Sequence, residues 1–158
     1  MDAPSRILII AIDSFTGKHF KSFLNRRGGY DIYGTSTKPS CEDKLYQADI
    51  LNEHRMVQVL CAVEPDFIVN FAAISFVGEK NIELFYKINV IGVETLLTSI
   101  SRSGIKVKKI LMPSSAVVYG DQDTNILHEE LAPNPKNHYG YSKFAGEQVC
   151  KTYFDKLN

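Results

Sequence analysis

The feature that most constrains the fold is the alternation of strand-length apolar runs with segments of helical periodicity. Strands are predicted at Ile7–Ile12, Asp31–Thr35, Leu45–Ala48, Phe67–Ala72 and Lys109–Ser114. Helices are predicted at Phe15–Arg27, Glu53–Val63, Ile82–Arg102 and Tyr139–Lys156. The first, fourth and fifth runs are nearly all apolar, which is typical of parallel strands covered on both faces. This order predicts an α/β fold, a Rossmann-like doubly wound parallel sheet with helices on both faces, formed by one domain over residues 1–158.

Composition excludes several classes of function. The 18 basic and 18 acidic residues balance, so the chain has no electrostatic footprint for nucleic acid or for an anionic membrane. Three widely spaced cysteines, Cys41, Cys61 and Cys150, form no Cys-x-x-Cys pair. They are typical of reduced thiols in a cytosolic protein, and we expect no metal site. No run reaches membrane-spanning length, so we expect a cytoplasmic protein.

The ends of the predicted strands carry the residues best suited to ligand binding and catalysis. Ligands of parallel α/β sheets bind beyond the carboxyl ends of the strands. Here those ends read "AIDSFTG" from Ala11, "GTSTK" from Gly34, "NFAAIS" from Asn70 and "PSSAVVYG" from Pro113. The small residues after Asn70 would let a flat ligand lie against the backbone. The stretch from Gly120 to Asn137 is predicted to be a long surface loop, a feature that is usually functional.

Tyr139 and Lys143 in "YGYSKFAGE" are four residues apart, on one face of a predicted helix. An ammonium near a phenol favours the phenolate and lowers the pKa of a phenol from about 10 toward the working range. Such a tyrosine exchanges a proton with a carbonyl or alcohol, and a nearby serine hydroxyl orients that oxygen. Taken alone, the spacing is equally that of an ordinary helix pair.

Together these stretches resemble the extended short-chain dehydrogenase/reductase family, whose NAD(P)-dependent enzymes epimerise, dehydrate or reduce nucleotide sugars. "SSAVVYG" and "YGYSKFAGEQ" are similar to that family's serine strand and Tyr-x-x-x-Lys helix. "NFAAIS" and "NVIGVETLL" resemble its other internal motifs, in the expected order. The resemblance extends over essentially all 158 residues. The combination of motifs is specific, whereas each motif alone is weak.

The resemblance implies a role for individual residues. It makes Ser115 the catalytic hydroxyl, with Ser114 as second choice, Tyr139 the acid/base, and Lys143 the residue that binds the nicotinamide ribose. Asn89 matches the family's helix asparagine, which supports the active site; a capping or interhelical amide is the alternative. The positions implied to contact the dinucleotide are Ala11, Ser14, Phe15, Gly17, Thr35, Ser36, Lys38, Asp49, Ile50, Phe71, Ala72, Ala73, Asn89, Tyr139 and Lys143.

The first turn departs from the family pattern Gly-x-x-Gly-Phe-x-Gly. Phe15 and Gly17 stay in register, while Ala11 and Ser14 replace the first two glycines. Both replacements are small, and Ser14 adds a hydroxyl at a helix N-terminus, where anions are favoured. A Cβ at Ala11 is strained if that position requires a positive φ. We expect a working but weakened dinucleotide site; a degenerate turn that binds nothing is the alternative.

The second strand end favours NADP over NAD. NAD binders usually place an acid there to hold the ribose 2′-hydroxyl, and none occurs between Tyr33 and Pro39. The segment offers instead the hydroxyls of Thr35, Ser36 and Thr37 and the cation of Lys38, which suit a 2′-phosphate.

The resemblance also limits the reactions that are expected of this chain. Dehydratases of the family carry acids directly after the catalytic hydroxyl, where this chain has Ala116 and Val117, so dehydration is disfavoured. We therefore expect an NADP-dependent reductase of the 4-keto-6-deoxy type, acting on a nucleotide-activated sugar through the Ser-Tyr-Lys set. The alternatives are an NAD-dependent nucleotide-sugar 4-epimerase and, in another class, a non-catalytic NADP-binding or interaction module.

In the family, a sugar-nucleotide domain follows the Tyr-x-x-x-Lys helix, and the chain stops at Asn158. The C-terminal substrate domain is therefore expected to be absent from these residues, which are either part of a longer enzyme or a small stand-alone cofactor-binding domain. We expect little or no turnover from these residues alone. The resemblance further implies a homodimer through the helices at 82–102 and 139–156, with Phe85 and Tyr153 as candidate exposed aromatics.

Overall fold

A computed structural model of the chain describes residues 3–76, 78–123 and 126–153. The strands are β1 (Ser5–Ile10), β2 (Tyr30–Ser36), β3 (Leu45–Gln47), β4 (Phe67–Asn70) and β5 (Lys109–Leu111). The helices are α1 (Phe15–Arg27), α2 (Glu53–Val63), α3 (Ile82–Tyr86), α4 (Gly92–Ser103) and α5 (His138–Tyr153). A π-helical segment (Lys87–Ile91) joins α3 to α4, and a 3-10 turn (Ala116–Tyr119) follows β5.

The strands form a single parallel sheet in the order β3-β2-β1-β4-β5. The chain runs outward from β1 to β3 and then returns to place β4 on the other side of β1. This reversal makes the crevice between the carboxyl ends of β1 and β4 the topological switch point, where ligands of such sheets bind. The predicted Rossmann-like α/β fold is confirmed.

Alternate side chains of the central strands pack into two hydrophobic cores on opposite faces of the sheet. Leu8 and Ile68 point into the larger core, which α2 and α4 cover with Met56, Leu60 and Leu96. The smaller core lies under α1 and consists of Ile7, Ile9, Ile12, Leu24 and Val69. Helices on both faces explain why Ile7–Ile10 of β1 and Phe67–Val69 of β4 are apolar at every position, as is typical of a parallel sheet.

Four of the five strands end earlier than the sequence predicts, because side-chain and turn geometry end the pairing, whereas β2 extends to Ser36, one residue beyond its predicted end. Ala11, directly after β1, has a positive φ of 56°, which turns the chain out of the sheet. After β4, the Asn70 Oδ1 atom accepts a hydrogen bond from the Ala72 amide at 3.0 Å and closes a local turn. Strand β5 ends at Leu111, so the residues up to Ser114 lie beyond the sheet.

Helices α1 and α2 have the predicted boundaries, because both carry clear capping residues. Ser14 caps α1 by accepting a hydrogen bond from the Gly17 amide, and Gly28 ends the helix with a φ of 72°. Asn52 caps α2 through its side chain, which accepts from the Arg55 amide. Side-chain oxygens at the N-cap and glycine past the last turn are the usual signals for these ends.

The prediction of one continuous α-helix over 82–102 is wrong in its middle, where the π-helical segment lies. Residues 154–156 of the predicted last helix lie outside the described residues. The prediction that Phe85 and Tyr153 are exposed is also wrong, since they retain 2% and 8% of their accessible surface. Phe85 packs toward the Tyr139 ring, and Tyr153 faces the larger core. Within the described ranges, no helix has the length and apolar character needed to cross a membrane.

Candidate active site

The first turn connects β1 to α1 at the switch point. The Gly17 position allows no side chain, because a Cβ there would lie 2.6 Å from the Ala11 carbonyl oxygen and 2.7 Å from that of Ile12. The Ser14 Oγ atom accepts from the Gly17 amide at 3.1 Å, which leaves its own hydrogen for another acceptor. Phe15 is exposed, with its ring edge-on to His19. The turn therefore presents a compact backbone and one hydroxyl at the N-terminus of α1.

The end of β2 lies against this turn. The Thr35 carbonyl accepts from the Ile12 amide at 3.0 Å, and the Thr35 Oγ1 accepts from the Ala11 amide at 3.3 Å. Thr35 and Ser36 are buried, with 1% and 4% of their surface exposed, and the Ser36 hydroxyl accepts from the Lys38 amide. Of the predicted 2′-phosphate group, only Thr37 and Lys38 are open to solvent.

Two further strand ends flank the crevice. After β4, the Phe71 amide donates to the Ile10 carbonyl at 3.0 Å, Ala72 is half-buried and Ala73 is exposed. After β3, the exposed Asp49 accepts from the Leu51 amide, whereas the Ile50 side chain is buried in the larger core. Ile50 therefore offers a ligand its backbone and not its side chain.

The segment that contains Ser115 lies against α5. A Cβ added at Gly140 would lie 3.0 Å from the Val117 carbonyl, so the start of α5 and the 3-10 turn are in close contact. Ser115 begins that turn, and its Oγ accepts from the Val117 amide at 3.4 Å. The neighbouring Ser114 hydroxyl instead donates to the Glu147 carboxylate. The two candidate serines therefore differ, because Ser114 is engaged by an acid and Ser115 serves as a cap.

Lys143 reaches from α5 toward the same segment. Its Nζ donates to the Pro113 carbonyl at 2.5 Å. Burial of the amine lowers the pKa of Lys143 below its ordinary value, while Cys150 and Glu147 act in the opposite direction. A cavity of about 240 Å³ lies beside the amine, and its walls include Asn89, Ser114 and Glu147.

Tyr139 is half-buried one turn before Lys143, with its ring centroid 6.2 Å from that of Phe85. Its backbone carbonyl accepts from the Ser142 hydroxyl at 2.8 Å. The buried Asn89 side chain donates to Ser142 Oγ at 2.9 Å and also bonds both the amide and the carbonyl of Ile74. This amide thus ties the loop after β4 to the helix that carries Tyr139.

Sequence reasoning missed three side chains of the site. Ser142 has no exposed surface and completes the link from Asn89 to Tyr139. The Glu147 carboxylate accepts a hydrogen bond from Ser114, and the distance from the Asp13 carboxylate oxygen to the Lys38 ammonium nitrogen is 3.8 Å. A polar residue inside an otherwise helical motif signals Ser142 in the sequence, whereas the contacts of Glu147 and Asp13 depend on the fold. Among the described residues, no three His, Cys, Asp or Glu side chains are grouped so as to hold a metal ion.

The first turn fits a dinucleotide. At the start of α1 the Gly17 amide donates to Ser14 Oγ and the Lys18 amide to the Ser14 carbonyl, which leaves the amides of Phe15 and Thr16 for a ligand beside the sterically confined Gly17. An anion is favoured at such a helix N-terminus.

The sequence matches a known protein family over nearly its whole length. The sequence pattern of the "NAD dependent epimerase/dehydratase family" matches residues 7–157. The chain belongs to this family. The resemblance inferred from its motifs is therefore confirmed, and the family's NAD(P) dependence accords with the architecture of the first turn.

The relatives to which the chain is similar catalyse different reactions. The chain is 34% identical over 148 residues to the GDP-6-deoxy-D-talose 4-dehydrogenase of Aggregatibacter actinomycetemcomitans, covering 94% of this chain and 48% of the relative. It is 31% identical over 162 residues to the UDP-glucose 4-epimerase of Mycoplasma genitalium, covering 93% and 47%. The chain spans about half the length of these curated relatives.

A solved structure agrees with the fold. The dTDP-4-dehydrorhamnose reductase of Bacillus anthracis, determined in complex with NADP, superposes with a TM-score of 0.79 at 31% identity. The alignment covers 96% of this chain and 51% of the reductase chain.

Proposed function

We propose that these residues form the cofactor-binding part of an NADP-dependent oxidoreductase that reduces a nucleotide-activated 4-keto-6-deoxy sugar. The observation that carries the proposal is the contact of the Ser115 segment with α5. Lys143 bonds the Pro113 carbonyl on one side of Ser115, and Gly140 packs on Val117 on the other. Ser115, Tyr139 and Lys143 therefore belong to one local unit beyond the carboxyl end of β5.

These side chains supply what a carbonyl reduction needs from the protein. A dinucleotide held at the switch point would supply the hydride that adds to the sugar carbonyl carbon. Tyr139 donates its phenolic proton to the carbonyl oxygen, and the Ser115 hydroxyl donates a hydrogen bond to that oxygen. The Lys143 ammonium stabilises the phenolate that remains. Ala116 and Val117, which follow Ser115, carry no group that transfers a proton, which argues against dehydration.

NADP is proposed because the open end of β2 presents Thr37 and the ammonium of Lys38. A cation at this place suits the 2′-phosphate. The turn around Ser14 and Gly17 would hold the pyrophosphate, with Asp49, Ile50 and residues 71–73 facing the adenine half.

An NAD-dependent 4-epimerase is the second candidate, favoured by the likeness to a UDP-glucose 4-epimerase. An epimerase needs the same Ser-Tyr-Lys set and returns the hydride to the sugar. It therefore interconverts two sugars without net consumption of a reduced dinucleotide, which distinguishes it from a reductase.

The test is NADPH consumption in the presence of a nucleotide-activated 4-keto-6-deoxy sugar. The 158-residue chain is expected to bind NADPH with little or no turnover, since holding the sugar against the nicotinamide needs further residues. A chain extended to the length of the relatives is expected to turn over. Enzyme-like rates from the 158 residues alone would contradict the first expectation.

Tyr139→Phe is the diagnostic variant for the extended chain. It should abolish turnover and leave the NADPH affinity nearly unchanged, because only the proton is removed. Tyr141→Phe, an exposed tyrosine on the same helix, is the matched control and should retain activity. Loss of NADPH binding in Tyr139→Phe would instead identify a structural tyrosine and favour a non-catalytic module.

We also propose a homodimer in which the helices over 82–103 and 138–153 pair between copies. Ile82, Ile91 and Tyr141 are exposed on these helices and take the place of the buried Phe85 and Tyr153. Light scattering should give twice the chain mass of 17.8 kDa, and Ile91→Glu should give the monomer mass. A monomer for the unaltered chain would contradict this proposal.

A further inference from the structure

An ion pair joins the first turn to the loop after β2. Asp13 lies in the turn between β1 and α1, and Lys38 is the second residue after β2. The Asp13 Oδ2 and Lys38 Nζ atoms are 3.8 Å apart, with 32% of the Asp13 side chain and 81% of the Lys38 side chain exposed. The carboxylate is therefore the partly buried member of the pair, and the ammonium is the exposed one.

Backbone contacts, and not the ion pair, hold Asp13 at this place. The preceding Ile12 amide donates to the Thr35 carbonyl, and the Ala11 amide donates to Thr35 Oγ1. The Ser36 hydroxyl fixes the start of the loop through the Lys38 amide at 3.0 Å. An exposed ion pair at this distance adds little stability by itself. The position of the carboxylate against the end of β2 is thus built into the turn.

The end of β2 is where a Rossmann domain reads the adenosine ribose. An acid there accepts the 2′-hydroxyl of NAD, and a cation accommodates the 2′-phosphate of NADP. Strand β2 and its loop supply no acid between Tyr33 and Pro39, but the first turn brings the Asp13 carboxylate to that loop. The Asp13 carboxylate and the Lys38 ammonium would therefore face the same ribose 2′ position. The carboxylate favours a hydroxyl there, and the ammonium favours a phosphate.

We infer that Asp13 takes the place of the missing acid and determines dinucleotide specificity together with Lys38. Its carboxylate accepts the 2′-hydroxyl of NAD and repels the 2′-phosphate of NADP, which Lys38 attracts. Asp13 thereby reduces the NADP preference that Lys38 alone would give. This inference rests on the proposed function of the first turn as a dinucleotide site.

The experiment compares dissociation constants for NADPH and NADH, measured by the fluorescence of the reduced nicotinamide at one ionic strength. Asp13→Asn should raise the ratio of NADPH to NADH affinity about tenfold, the size expected for removing a charge a few ångström from a phosphate near the surface. Lys38→Met should lower that ratio by a similar factor. Asp43→Asn removes an exposed carboxyl from the loop that precedes β3 and should leave the ratio unchanged.

The possible failures are distinguishable. An unchanged ratio in Asp13→Asn, or an equal rise in both affinities, overturns the role of Asp13 and leaves the dinucleotide site in place. Absence of binding by the unaltered chain overturns the site and the inference together. Asp13→Ser repeats the comparison with a second uncharged side chain, so that poor folding of one variant does not decide the result.

Discussion

At the scale of single residues, the position that departs most from the family pattern is Ala11. Its φ of 56° lies in the left-handed region, where a residue with a Cβ is strained by roughly 1–2 kcal/mol. The sequence predicted this strain only conditionally, because the backbone angle depends on the turn. The turn keeps the glycine-like conformation although the glycine has been replaced.

Ala11→Gly should therefore stabilise the chain. Relief of the strain exceeds the entropy that glycine adds to the unfolded chain, leaving a gain in unfolding free energy of about 0.5–1 kcal/mol. Chemical denaturation measures this difference. Ala62→Gly, at an exposed position of α2, is the control and should lose about 0.5–1 kcal/mol. A loss in both variants would show that Ala11 carries no strain.

At the scale of elements, the π-helical segment is in close contact with α5. The Asn89 carbonyl lies 2.7 Å from where a Cβ on Gly146 would be, so the two elements touch through backbone. The Asn89 side chain adds three hydrogen bonds to Ile74 and Ser142. π-Helical turns occur frequently at functional sites, and here the turn places a buried amide between the loop after β4 and helix α5.

Asn89→Ala should be strongly destabilising. It leaves the half-buried amide and carbonyl of Ile74 and the buried Ser142 hydroxyl without that partner, a loss of about 2–4 kcal/mol in unfolding free energy. Asn81→Ala is the matched control, because Asn81 is exposed and its side chain makes no capping bond to α3. It should change stability by less than about 0.5 kcal/mol. Equal effects of the two changes would show that the Asn89 bonds are dispensable.

The elements also show what the sequence could predict. Helices α1 and α2 were predicted to the residue because Gly28 and Asn52 are local signals that need no tertiary contact. The π-helical segment was not predicted, since it packs against Gly146 of a separate helix, a contact that is not visible in the sequence. Burial of Thr35 and Ser36, and the reach of Asp13 to Lys38, likewise come from the packing of separate segments. Residue identity along a motif is visible in sequence, whereas its pairing across loops is not.

At the scale of the whole molecule, acid stability depends on carboxylates that tie strands and loops together. The hydrogen bond from Lys44 lowers the pKa of Asp31 below 3.8, with a smaller contribution from Tyr33. Lys44 precedes β3, so this pair links the two outer strands on one side of the sheet. Because the folded pKa is the lower one, the stabilisation is present above pH 3.8 and is lost as the pH falls through the folded pKa.

Asp31→Asn should accordingly be less stable than the unaltered chain at neutral pH, and the difference should vanish as the pH falls below 3.8. Unfolding curves across the acid range measure the convergence. Asp121→Asn removes a charge from an exposed loop residue and should follow the unaltered chain throughout. A difference for Asp31→Asn that persists unchanged in acid would contradict the role of the ion pair.

We propose that the crevice between β1 and β4 holds a dinucleotide despite the altered first turn. The most direct measurement is a calorimetric titration of the 158-residue chain with NADPH and, separately, with NADH. We expect saturable binding of both dinucleotides, with NADPH the tighter of the two. Failure of both dinucleotides to bind would contradict the claim and identify the turn around Ala11 as a strand-to-helix connection that binds nothing.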